Sequence, residues 1–190
     1  MSLTEIDSLY HPLLLELAHQ AIAYGLQRGK QMVIHVEDYP PPLRQQRATF
    51  VTLKITGDLK GCIGTLEAYR SLIEDVAGNA HAAAFSDPRF NPVTRAQRDS
   101  LQVSISVLGP SEEMTFADEN DLLEQLRPGT DGLILKQAKR RGTFLPAVWE
   151  FLPDRGQFLE HLKLKAGLPS GYWSDDIRVF RYTTQTIDSG

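Results

Sequence analysis

Residues 48–65 read ATFVTLKITGDLKGCIGT. Val51, Leu53 and Ile55 alternate with Thr52 and Lys54, the period-two pattern of a strand with one buried face. Gly57 and Asp58 then offer a tight turn, and residues 59–65 run back as a second strand, so a β-hairpin is expected. Further along, Leu101, Val103, Ile105 and Val107 alternate with Gln102, Ser104 and Ser106, the clearest half-buried strand in the chain. A hairpin plus a one-sided strand argues for a largely antiparallel sheet with flanking helices, an α+β fold; a doubly wound parallel sheet is the alternative.

The flanking helices follow from local signals. Pro12 suits a first helical turn, and Leu13, Leu17, Ala21 and Tyr24 recur on one face until Gly25 and Gly29, giving a helix over residues 12–28. Ser71 with Glu74 is a capping box that starts a helix over residues 72–85, whose inner face would carry Ile73, Val76, Ala77, Ala80 and Ala84. Thr94 with Gln97 repeats the signal for a short helix. Residues 120–126 and 157–166 read as helices, and 132–136, 142–145 and 177–183 as strands. The run Pro40, Pro41, Pro42 lacks backbone donors and reads as an extended connection.

The 190 residues, 42% of them hydrophobic, suffice for one compact unit of one or two lobes. Twenty basic against 24 acidic side chains leave a net charge of −4, which argues against nucleic acid as a partner. No apolar run approaches the roughly 20 residues needed to cross a bilayer, and the first residues do not read as a leader, so the cytoplasm is the expected location. One cysteine makes no internal disulfide, no Cys/His cluster has zinc spacing, and a structural metal is not expected.

Chemistry is concentrated in two stretches. In residues 59–64, LKGCIG, Gly61 and Gly64 flank the single thiol, and strict alternation would turn Lys60 and Cys62 one way and Leu59 and Ile63 to the core. A neighbouring ammonium favours a reactive thiolate, and the glycines would let a ligand or a partner backbone approach; equally, a free cysteine packs well as a small hydrophobe, and glycines in strands often mark only bulges. In residues 87–92, DPRFNP, Arg89 could hold a carboxylate or phosphate, or could pair internally with Asp87 to fix the loop. Lys139, Arg140 and Arg141 read as a solvated turn. His81 is the histidine best placed to serve the thiol, although a structural role is the commoner outcome at such a position.

FVTL (residues 50–53), LKGCIGT (59–65), DPRFNPVT (87–94), VSISVL (103–108), GTDGLIL (129–135), RRGTFLPAVWE (140–150) and HLKLKAGL (161–168) together resemble the AMMECR domain family, whose prokaryotic members are also called AmmeMemoRadiSam system protein A. The resemblance implies two unequal lobes sharing antiparallel sheet, with the cysteine motif near a cleft between them. It also implies company, a Memo-like protein and a radical SAM enzyme, but no agreed reaction, and it leaves any cofactor unknown. Lys60 stands where the family usually has arginine, which loses the planar fork, and Ala48 stands where it usually has glycine. The family pattern does not require a histidine at position 81. The resulting candidates are Cys62 as a catalytic or ligand-contacting thiol and Lys60, Gly61, Gly64, Asp87 and Arg89 as binding residues, acting on a small-molecule or protein substrate. A non-catalytic module that docks to a partner of the same system is the competing reading.

Overall fold

The structure, a computed structural model, describes residues 5–189. In chain order its elements begin with α1 (His11–Arg28), β1 (Thr49–Ile55), β2 (Asp58–Gly64), α2 (Leu72–Phe85) and β3 (Leu101–Leu108). They continue with β4 (Glu112–Glu113), α3 (Glu119–Gln125), β5 (Gly132–Gln137), β6 (Arg140–Phe144), α4 (Arg155–Lys165), β7 (Arg178–Tyr182) and β8 (Thr184–Asp188). Two compact units emerge: Gly109–Thr184 forms one, and the chain up to Leu108, joined by the residues from Gln185 onward, forms the other. Each carries its own four-stranded sheet, ordered β2-β1-β3-β8 and β4-β7-β5-β6, rather than the single shared sheet that the resemblance implied.

In the unit built on β1, the inward residues Val51 and Leu53 join Val103, Ile105 and Val107 of β3 and Ile187 of β8 in a core closed by α1 and α2. Ser71 and Glu74 form the expected capping box, and Ile73, Val76, Ala77, Ala80 and Ala84 are all buried. The buried Asp75 was not anticipated as a lock. Its carboxylate accepts from the Thr49 N–H (2.8 Å), the Thr49 hydroxyl (2.7 Å), Arg70 Nε (2.7 Å) and Asn79 Nδ2 (3.0 Å), tying α2 to β1.

Several expectations need correction. The buried stripe of α1 is Leu14, Leu17, Ala18, Ala21, Ile22 and Gly25; Leu13 and Tyr24 lie at its margin, because the helix is rotated to fit Gly25 against Phe85 of α2. Pro41–Arg44 is a turn of 3-10 helix rather than extended chain, since proline is tolerated where helical N–H groups have no partner. Arg95–Ser100 keeps the Thr94/Gln97 capping box but is also 3-10. Both β4 and β8 went unread: the first is two residues long, and the second has one deeply buried side chain, Ile187.

In the Gly109–Thr184 unit, Leu133, Leu135, Val179, Phe158, Leu162 and Trp149 form the core. Trp149 stacks on Phe158 at 3.7 Å between ring centroids and donates its indole N–H to the Asp131 carbonyl at 2.8 Å. Lys163 of α4 is fully buried, yet its ammonium reaches Glu119 and Glu160, the latter at 2.7 Å. Burial opposes its charge, but the two carboxylates outweigh burial and raise its pKa.

Candidate functional site

Cys62 lies in β2, the edge strand of its sheet, directly opposite Thr52 of β1. The turn is Thr56–Gly57, one residue earlier than expected, with Ile55 facing Asp58. Register then slips: Lys54 faces Leu59 while Leu53 faces Gly61, so Lys60 is the extra residue of a β-bulge. Alternation therefore fails at this point, and Leu59, expected in the core, is 40% exposed on the Lys54 side of the sheet. Lys60 is half-buried, and no hydrogen bond or ion pair joins it to Cys62 among the described residues.

The two glycines are occupied by this chain itself. A Cβ on Gly61 would sit 2.0 Å from the Ala83 carbonyl oxygen, so the bare backbone lets α2 lie against β2. A Cβ on Gly64 would sit 2.2 Å from the Phe50 ring, which covers that position.

The thiol is half-buried, and its sulfur lies 3.3 Å from the Thr52 hydroxyl oxygen, either atom able to donate. In an antiparallel pair, successive residues turn their N–H and C=O alternately toward and away from the neighbouring strand. Those of Cys62 face away from β1, toward the open edge. The Cys62 N–H donates to Asp87 Oδ2 at 2.9 Å, and the Cys62 carbonyl accepts from Arg89 Nη2 at 3.3 Å. Asp87 and Arg89 are joined in turn by Nε to Oδ1 (3.0 Å) and Nη2 to Oδ2 (2.8 Å), and the Arg89 N–H also donates to Oδ1 at 3.1 Å.

The Asp87 side chain is 2% exposed, while Arg89 remains 55% exposed. The Arg89 hydrogen bond, against the opposing effect of burial, holds the Asp87 carboxyl well below the usual carboxylate range. The Asp87 hydrogen bond in turn raises the Arg89 pKa, against the opposing effect of burial. The internal pair is thus present, and most of the guanidinium fork is committed to it.

His81 is elsewhere. It packs on Phe85 (centroids 4.9 Å apart) where α2 meets Gly25 of α1, and burial pushes its pKa down. Lys139, Arg140 and Arg141 are exposed at the turn between β5 and β6. Thr52 was missed as the partner of the thiol. Its alternation with Val51 and Leu53 puts it on the solvent side, but the bulge shifts which residue it meets. Among the described residues, no group of three or more His, Cys, Asp or Glu side chains could hold a metal ion, and no helix is long and apolar enough to cross a membrane.

Two α+β units, one of them presenting a single cysteine from a clasped edge strand, define the class of protein. The chain belongs to the AMMECR1 family, whose model matches residues 15–187 and so runs through both units. Protein MJ0810 of Methanocaldococcus jannaschii is 38% identical over 173 residues, 89% of this chain and 85% of that protein. A Methanothermobacter thermautotrophicus protein is 37% identical over 174 residues, covering 90% of each. The crystal structure of the uncharacterized protein PH0010 from Pyrococcus horikoshii superposes with a TM-score of 0.88 at 33% identity, covering 95% of this chain and 92% of that chain.

Proposed function

We propose that this protein is a cytoplasmic component of a small-molecule or protein modification system, with Cys62 as a reactive or ligand-contacting thiol. A Memo-like protein and a radical SAM enzyme are its proposed partners, on the strength of the motif resemblance. The observation that carries the reading is the setting of Cys62. Cys62 is half-buried with its sulfur beside the Thr52 hydroxyl, and both its peptide groups are taken, the N–H by Asp87 and the carbonyl by Arg89. A rigid, partly accessible thiol costs little further ordering when it meets a ligand. Lys60 and the exposed part of Arg89 supply positive charge along the same strand edge, which suits an anionic group.

The test is the rate of Cys62 alkylation in the native protein as a function of pH, read by intact mass. A rate that levels off well below the ordinary thiol pKa of about 8.5 supports thiol chemistry. No labelling before unfolding sinks it.

One observation favours a second reading, a non-catalytic docking module. The hydrogen-bond partner of the sulfur is a hydroxyl, and no basic side chain is bonded to it among the described residues. That reading expects a complex with a Memo-like or radical SAM partner that survives Cys62→Ser and weakens on Arg89→Ala. Failure of either partner to co-purify from the native host counts against it.

A further inference from the structure

An edge strand normally shows its outward N–H and C=O groups to water or to another chain. At Cys62 both are taken, at 2.9 and 3.3 Å, by a carboxylate and a guanidinium that bind each other. One acceptor and one donor, locked side by side, reproduce what a neighbouring strand would offer to one residue. Pro88 between them restricts the loop, and the 2% exposure of Asp87 shields the N–H bond from competing water.

We infer that Asp87 and Arg89 are positioning residues for the Cys62 thiol: they act as a surrogate strand on the open edge of β2 and so fix the direction in which the sulfur leaves the sheet. Arg89 thereby acts through the Cys62 peptide as well as through its charge. The inference rests on the thiol reading above for its functional meaning, while the clasp itself can be tested separately. Thr52 completes the arrangement from the β1 side, so the residue is held by its peptide at the edge and by its sulfur on the face.

The experiment uses the full chain and three variants, Arg89→Ala, Arg89→Lys and Asp87→Asn, with two readouts. The first is hydrogen exchange of the Cys62 amide relative to that of Ile63, whose amide faces β1. Loss of the clasp should speed Cys62 exchange about tenfold while Ile63 stays near its native rate. The second is the ratio of Cys62 alkylation rates by iodoacetate and iodoacetamide, which senses charge at the sulfur. It should fall about threefold in Arg89→Ala, rise in Asp87→Asn and return toward native in Arg89→Lys, the differences shrinking with added salt. General loosening would move both reagents alike and both variants in one direction.

Unchanged Cys62 exchange in Arg89→Ala overturns the inference, as does a reagent ratio that ignores both substitutions. A native thiol that labels with neither reagent sinks the thiol reading instead, and the exchange ratio then decides the clasp alone. Should Asp87→Asn fail to fold, the two Arg89 variants carry the test.

Discussion

The Asp87 carboxylate, buried in a loop, accepts the backbone N–H of Cys62, a residue 25 positions earlier, at 2.9 Å. Its folded pKa lies below its ordinary value of 3.8, chiefly through the Arg89 hydrogen bond. A depressed carboxylate adds stability that is fully present above the unfolded pKa and is lost as pH falls through the folded one. Asp87→Asn should therefore cost about 2–3 kcal/mol near neutrality and progressively less below about pH 4. Urea unfolding of both proteins across that range checks this; a pH-independent difference would contradict it.

Gly61→Ala should be among the most damaging single-methyl changes in the chain. The added carbon meets the backbone carbonyl of Ala83, which cannot turn aside, and about 3 kcal/mol or more is expected. Gly64→Ala meets only the Phe50 ring. Pairing it with Phe50→Leu should recover at least half of its cost, a coupling that a double-mutant cycle in urea measures directly. Purely additive losses would mean that the ring is not what excludes the methyl.

Lys163 gives an asymmetric prediction. Its carboxylate partners each keep 34% side-chain exposure, so Lys163→Met lets both turn to water and should cost no more than about 2 kcal/mol. The double change Glu119→Gln with Glu160→Gln strands a fully buried ammonium and should cost about 3–5 kcal/mol. Thermal unfolding in which the lysine variant is the weaker of the two would refute this account. Glu160 is also held below its ordinary pKa, first by the Lys163 hydrogen bond, so this contribution too is present above about pH 4.5 and fades in acid.

Ala138 adopts φ 52° in the two-residue turn between Gln137 and Arg140, a left-handed conformation that penalises a Cβ. Ala138→Gly should raise stability by about 0.5–1 kcal/mol, despite the extra freedom of glycine in the unfolded chain. A lower melting temperature would show that the turn relaxes when the methyl is removed.

Signals that act within a few residues were legible in the sequence. Ser71 with Glu74, Thr94 with Gln97, the small inner face of α2 and the alternation of β3 all appear where the pattern placed them. The register of β1 on β2 was not, because a single extra residue at Lys60 reverses which side chains share a face; Gly61 beside it is the kind of strand glycine that often marks a bulge, but it does not say which residue is extra. Asp87 and Arg89 were picked out as unusual residues, with both an internal pair and an external ligand left open. Their grip on the Cys62 peptide depends on a loop arriving at a sheet edge from 25 residues away, which spacing alone does not encode. Two unequal lobes were expected, but their boundary was hidden for the same reason, since β8 returns to a sheet begun more than a hundred residues earlier.

That return has a consequence for synthesis. The Gly109 N–H donates to the Thr183 carbonyl at 2.8 Å, so the Gly109–Thr184 unit starts and stops at nearly one point, an insertion in the chain between β3 and β8. A ribosome releases the chain from its N-terminal end. The strands β1, β2 and β3 are therefore made well before β8, and β3 waits, unpaired along one side, until the chain has passed Thr184. Until then the Leu101–Leu108 strand has one open side, and the cysteine-bearing sheet is closed only after the inserted unit has been made.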